Sequence, residues 1–227
     1  MSDVEYLIAR DPADEFGSAL AAWGYSGEAI FLTGGHSIAA AYEKAAEIPD
    51  WSASSVWWGD ERCVPPDDDR SNYLLAKRAL LDRLEDQPEI HRMRGELDPA
   101  EAAEVYEAEL DGIEIELLLL GMGPDGHVAS LFPGSPQLQV RDRRVTSGPA
   151  GLEPFVDRVT LTLPALLSAQ ETWFLITGED KAEMVARAFR GPITEDVTAS
   201  LLRQGEGNIT VFLDHAAASR ILVAESR

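Results

Sequence analysis

The chain has 227 residues, 45% of them hydrophobic, and a formal net charge of −21 at pH 7. This is enough apolar material for one sizeable core, and the acidity argues against nucleic acid or an anionic membrane surface as partner, since both need a basic footprint. A single cysteine, Cys63, excludes an intrachain disulfide and a CxxC pair.

No apolar run approaches a membrane span, and the acidic start Met1-Ser2-Asp3-Val4-Glu5-Tyr6 lacks a signal pattern. The expectation is a cytoplasmic protein of one domain, residues 1–227. Residues 28–33 read as a strand, 37–48 as an Ala-rich helix and 55–58 as a second strand, followed by a Pro/Asp loop over 65–70. Residues 71–84 have helical spacing, with Leu74, Leu75, Leu81 and Leu84 on overlapping faces. A helix over 99–110 opens with Asp98 as N-cap and Pro99 at its first position. Then come a strand over 115–120, a mobile surface loop over 137–154 rich in Arg, Asp, Gly and Pro, and strands over 158–163 and 172–176. A helix over 179–189, a strand over 209–213 and a short helix from His215 close the chain. Repeated strand-then-helix order predicts a single-domain α/β fold, a largely parallel sheet with helices on both faces.

The stretch Leu117-Leu118-Leu119-Leu120-Gly121-Met122-Gly123-Pro124-Asp125-Gly126-His127 carries the most chemistry. A buried strand delivers one carboxylate and one imidazole to a glycine-rich turn. Ligands of open α/β sheets bind at the carboxyl ends of strands, and imidazole is the side chain that exchanges protons near neutral pH. A tight turn with a solvated histidine is the plainer alternative, and an active-site loop accounts better for the strand that leads into it.

Three other strand ends bear on the same edge. Leu32-Thr33-Gly34-Gly35-His36-Ser37 runs from a glycine turn into a helix, where free amides suit an anion, although it has neither a P-loop ending nor GxGxxG. Trp57-Trp58-Gly59-Asp60-Glu61-Arg62 offers a carboxylate and a guanidinium whose fork matches two phosphate oxygens. Thr177-Gly178-Glu179-Asp180-Lys181 sets a cation at the start of a helix, an odd place unless an anion is shared there. Ser71 and Asn72 read as loop-ordering and capping residues, Cys63 as an inert thiol, and His91 and His215 as packing or capping residues. No close-spaced metal-ligand cluster appears.

Residues 121–134 closely resemble the GMGxDGHxASLFPG signature of the 6-phosphogluconolactonases. Residues 57–72 resemble the family's WGDERxVPxxxxxSN segment, and residues 177–182 its TGxxKA segment. Residues 34–38 resemble its phosphate-binding GGSTP turn, with His36, Ser37 and Ile38 departing from the pattern. The resemblance implies a metal- and cofactor-independent hydrolysis of 6-phospho-D-glucono-1,5-lactone, with His127 as general base and Asp125 or Asp60 orienting it or binding hydroxyls. It also implies a phosphate grip by Gly34, Gly35, Ser37, Arg62 and Lys181. A small sugar-phosphate lactone is the implied partner, and the chain is expected to be a monomer or small homo-oligomer.

Two alternatives stay open. A glucosamine-6-phosphate deaminase would share the fold, but it resembles others of its kind in an Asn-Glu-Pro sequence where Ala129-Ser130-Leu131-Phe132 stands here. A non-catalytic sugar-phosphate sensor would usually add a DNA-binding helix-turn-helix.

Overall fold

In the computed structural model, which describes residues 3–35, 37–48 and 50–222, the chain starts with β1 (Val4–Ala9) and α1 (Pro12–Trp23). There follow β2 (Ala29–Leu32), α2 (Ile38–Ala45), β3 (Ser55–Trp58), β4 (Asp60–Arg62), α3 (Asn72–Ala79), β5 (Glu89–Ile90) and α4 (Pro99–Glu109). The second half comprises β6 (Leu117–Leu120), β7 (Val145–Gly148), β8 (Arg158–Leu161), α5 (Leu163–Leu167), β9 (Glu171–Ile176), α6 (Ala182–Phe189), α7 (Thr198–Leu201), β10 (Asn208–Asp214) and α8 (Ser219–Leu222). The expected β-then-α alternation is observed. His36, noted above, lies outside the described residues.

Seven strands form one sheet in the order β1-β10-β9-β6-β2-β3-β5, and every pairing in it is parallel. Every residue of β2 and β6 is buried, as in a strand covered on both faces. From β2 the chain winds outward to β3 on one side; from β6 it winds to β9 and β10 on the other. The direction therefore reverses between β2 and β6, and a crevice opens at the carboxyl ends of strands at such a switch point. Two buried tyrosines finish the strand ends. Tyr42 of α2 accepts from the Thr33 amide at 2.9 Å and donates to its carbonyl at 2.8 Å. Tyr106 of α4 treats Trp58 in the same way, at 2.8 and 3.1 Å.

The structure corrects several expectations. β1 and α1 fall in a stretch for which the sequence reading named no element. The strand expected over 158–163 ends at Leu161 and belongs to a separate antiparallel sheet, β4-β8-β7. Gly59 is the pivot: its amide donates to Leu32 of the large sheet and its carbonyl accepts from Leu161 of the small one. The loop expected over 137–154 is partly built in, with Gln137, Leu138 and Val145 buried. Glu107 of α4 holds that segment by accepting from the amides of Arg144 and Val145. His215 is exposed in a turn, and the cap there is Asp214, which accepts from the Ala217 amide at 2.7 Å.

Candidate active site

His127 is set by its own loop. Its Nδ1 lies 2.6 Å from Asp125 Oδ1, and the same oxygen accepts from the His127 amide at 3.1 Å. A carboxylate oxygen can only accept, so Nδ1 carries the proton and Nε2 of the neutral ring is left with its lone pair. Burial pushes the Asp125 carboxyl up, but the hydrogen bond and charge of His127 outweigh it and hold the group below the ordinary carboxylate value. Gly123 is required beside them, since a Cβ there would lie 2.0 Å from His127 Nδ1. The Phe132 ring packs on the imidazole at 4.4 Å between centroids.

The imidazole lines a cavity of about 200 Å³ that also takes in Gly34, Gly35, Asp60, Arg62, Asn72 and Arg158. Asp60 is buried in its wall and makes no hydrogen bond to His127. Its Oδ2 accepts from Ser130 Oγ at 2.5 Å and its Oδ1 from Asn72 Nδ2 at 3.2 Å. Of the two carboxylates the sequence left joined, Asp125 is the one bonded to the imidazole.

Behind Asp60, Glu61 is buried and saturated. Its oxygens accept from the amides of Arg62, Asn72 and Tyr73 at 2.7, 2.7 and 2.8 Å and from Ser71 Oγ at 2.8 Å. Burial pushes this carboxyl up, and those donors act against the shift. Ser71 in turn caps α3 through the Leu74 amide, as its position suggested.

A second cavity, of about 250 Å³, adjoins the first across Thr33, Gly34, Gly35, Gly121 and Met122, which line both. It takes in Ser37, Thr177 and Lys181, over a floor that includes Ile38, Leu120 and Leu175. Lys181 Nζ donates to the Met122 carbonyl at 3.2 Å, and the Ser37 and Thr177 hydroxyls are 2.9 Å apart. The residues expected to bind an anion are thus divided: Ser37 and Lys181 lie on one side of the Gly34–Gly35 rim and Arg62 on the other.

In the sequence Arg158 reads only as the start of a strand and not as a site residue. It opens β8 directly across from Arg62, is 4% exposed, and donates to the carbonyls of Pro154 and Val156. Burial pushes its guanidinium below the ordinary value, and the charge of nearby Asp60 works against that. The available signal was a lone arginine ahead of a Val-Thr-Leu-Thr strand, which reads as a solvated strand end. Leu152 and Glu153, from the stretch expected to be a mobile loop, also line the first cavity.

The remaining candidates take structural places. His91 stacks on Trp57 at 3.9 Å and 3°. Burial pushes the Cys63 thiol up to about 12, which suits an unreactive side chain. Among the described residues no group of three His, Cys, Asp or Glu side chains is placed to hold a metal. Nor does any helix among them have the length and apolarity to cross a membrane.

The family model for glucosamine-6-phosphate isomerases/6-phosphogluconolactonase matches residues 9–211. The 6-phosphogluconolactonase of Streptomyces coelicolor is 37% identical over 213 residues, covering 85% of this chain and 81% of that one. The human 6-phosphogluconolactonase is 38% identical over 209 residues, covering 86% and 81%. The solved 6-phosphogluconolactonase of Trypanosoma brucei superposes with a TM-score of 0.83 at 25% identity, over 97% of this chain and 100% of that one.

Proposed function

We propose, for a chain that belongs to the glucosamine-6-phosphate isomerase/6-phosphogluconolactonase family, that the paired cavities hydrolyse 6-phospho-D-glucono-1,5-lactone to 6-phosphogluconate. The observation that carries this reading is the Asp125–His127 pair, which leaves one basic nitrogen in a cavity that abuts a second, cation-bearing one. A lactone carbonyl is already electrophilic, so the work is to activate water and to stabilise the oxyanion that forms.

In this scheme His127 Nε2 takes a proton from water as the oxygen bonds to the lactone C1. The tetrahedral intermediate then collapses, the bond from C1 to the ring oxygen breaks, and the imidazolium returns the proton to that oxygen. Asp125 keeps the ring in its tautomer and steadies the imidazolium. Asp60 receives sugar hydroxyls, and Arg158 supplies positive charge beside the reacting carbonyl. The 6-phosphate sits at the shared Gly34–Gly35 rim, met by Ser37 and Lys181 from one cavity and by Arg62 from the other. Binding energy from that remote group fixes the lactone in place. The steps use side chains and water only, so turnover in the presence of a chelator should equal turnover without it.

The test is to generate the lactone in situ and follow its loss against spontaneous hydrolysis, with wild type and His127→Ala compared and glucosamine 6-phosphate as control substrate. Accelerated loss that collapses in the variant supports the reading. Ammonia released from the amino sugar, with no lactone acceleration, replaces it with the deaminase.

A further inference from the structure

We infer that Ser130 is a positioning residue for this reaction, locking Asp60 and the His127 loop into one fixed relation. The inference rests on the lactonase reading above.

Ser130 is 1% exposed and is held at two points. Its hydroxyl donates to Asp60 Oδ2 at 2.5 Å, and its amide donates to Thr160 Oγ1 at 3.2 Å. The residue just before it, Ala129, has φ 47°, which makes it the one non-glycine residue with positive φ among the described residues, and it lines the His127 cavity. A side chain in the left-handed region costs free energy and persists only where the surroundings over-determine it. The surroundings do so here. Thr198 Oγ1 donates to the carbonyls of Gly126 and Leu131, at 3.2 and 2.8 Å, and the Leu131 amide closes the turn onto Val128 at 2.9 Å. Asp60, Thr160 and Thr198 therefore grip the turn from β4, β8 and α7.

The bond to Asp60 works in both directions. Asn72 Nδ2 reaches both the Asp60 carbonyl and Oδ1, at 2.9 and 3.2 Å, so Ser130 is the contact that ties the carboxylate to the loop bearing His127. A buried serine satisfied by the nearest acceptor is the plainer account. Such a serine would not need a cavity-wall carboxylate as its acceptor, nor a strained neighbour two residues from the imidazole it would steady. Without the hydroxyl, the Asp60 carboxylate keeps one side-chain donor from Asn72 and the turn loses one of its three restraints. A displacement of about 1 Å between positioned groups costs on the order of 100-fold in rate.

The experiment measures kcat, KM and Tm for wild type, Ser130→Ala, Asp60→Asn and the double variant on the in situ lactone. Ser130→Ala is expected to lower kcat by about 10- to 100-fold with KM within about threefold. Because Ser130 acts through Asp60, the double variant should lose little more than Asp60→Asn by itself. A kcat within twofold of wild type, or losses that add in full, overturns the proposal. Should Ser130→Ala fail to fold, Ser130→Cys keeps the volume and a weak donor; its kcat is expected between those of wild type and Asp60→Asn, and a wild-type value overturns the assignment. A wild type that does not accelerate lactone loss overturns the lactonase reading itself, whereas an active wild type matched by an active Ser130→Ala overturns the positioning role and leaves that reading standing.

Discussion

The two cavities that meet at the Gly34–Gly35 rim are built differently. The His127 cavity is walled by side chains held in place by other side chains, Asp125 on the imidazole and Ser130 and Asn72 on Asp60, and is backed by Glu61, which three backbone amides and the Ser71 hydroxyl fix. The Lys181 cavity has an apolar floor, a pair of hydroxyls, and one ammonium resting on a backbone carbonyl. Proton transfer needs fixed geometry, whereas anion binding needs charge and donors that can adapt. In the proposed scheme proton transfer lies in the first space and the Ser37–Lys181 part of the phosphate grip in the second, with Arg62 reaching the phosphate from the first, so substitutions at His127 and at Lys181 should be separable.

The division breaks most visibly at His127. His127→Ala is expected to lower kcat by about 10²- to 10⁴-fold, the usual worth of a positioned base, with KM within a few fold. Saturation kinetics on the in situ lactone would show it. An equal rise in KM would mean that the imidazole also binds substrate, and the division would fail on this side.

Glu61→Gln tests the rigidity of the same cavity from behind. The amide must turn an NH2 toward donors that have no use for it, leaving at least one buried amide unpaired. The expected loss is about 2–3 kcal/mol, read by denaturant unfolding. A loss below about 0.5 kcal/mol would show that the α3 N-terminus does not depend on this carboxylate.

Lys181→Ala tests the other space. If Lys181 holds the phosphate as proposed, losing that charge-assisted hydrogen bond should raise KM by about 10- to 100-fold, with a much smaller change in kcat. The overall charge of −21 makes this cation more important, since the global field repels an anionic substrate. If kcat falls while KM holds, Lys181 belongs with the chemistry.

How much of this was legible follows from how local each signal is. Leu117–Leu120 and the glycine turn after it carry their structure in adjacent residues, so the strand, the loop and His127 could be read directly. β4 could not. Asp60-Glu61-Arg62 is three charged residues, and it becomes a strand only because β8 pairs with it and α3 supplies donors to Glu61 from eleven and twelve positions away. Arg158 was missed for the same reason, since its place beside Arg62 exists only in the pairing. β1 is an edge strand whose residues are half-buried or exposed, so no continuous apolar run marks it as the buried strands are marked. The division of Lys181 from Arg62 was likewise invisible, because a motif names residues without saying which side of a glycine rim they occupy.

The smallest expected effect is an acid limb set by Asp125. Its carboxyl sits below the ordinary value in the folded protein, raised by burial but lowered further by the His127 hydrogen bond and charge. A depressed carboxylate contributes stability that is fully present above its unfolded value, about 3.9, and lost as pH falls through the folded one. Wild type should therefore exceed Asp125→Asn in Tm above about pH 4, and the margin should shrink as pH falls below that. Comparing the two proteins cancels the acid sensitivity of the other carboxylates, which both share. A margin that stays level all the way down the acid limb, while the fold survives, would mean that the amide of Asp125→Asn fails for want of fit rather than charge, and that the carboxylate does not hold the imidazole electrostatically. In that case the His127 cavity would rely on shape, as the Lys181 floor does, and the contrast between the two spaces would narrow.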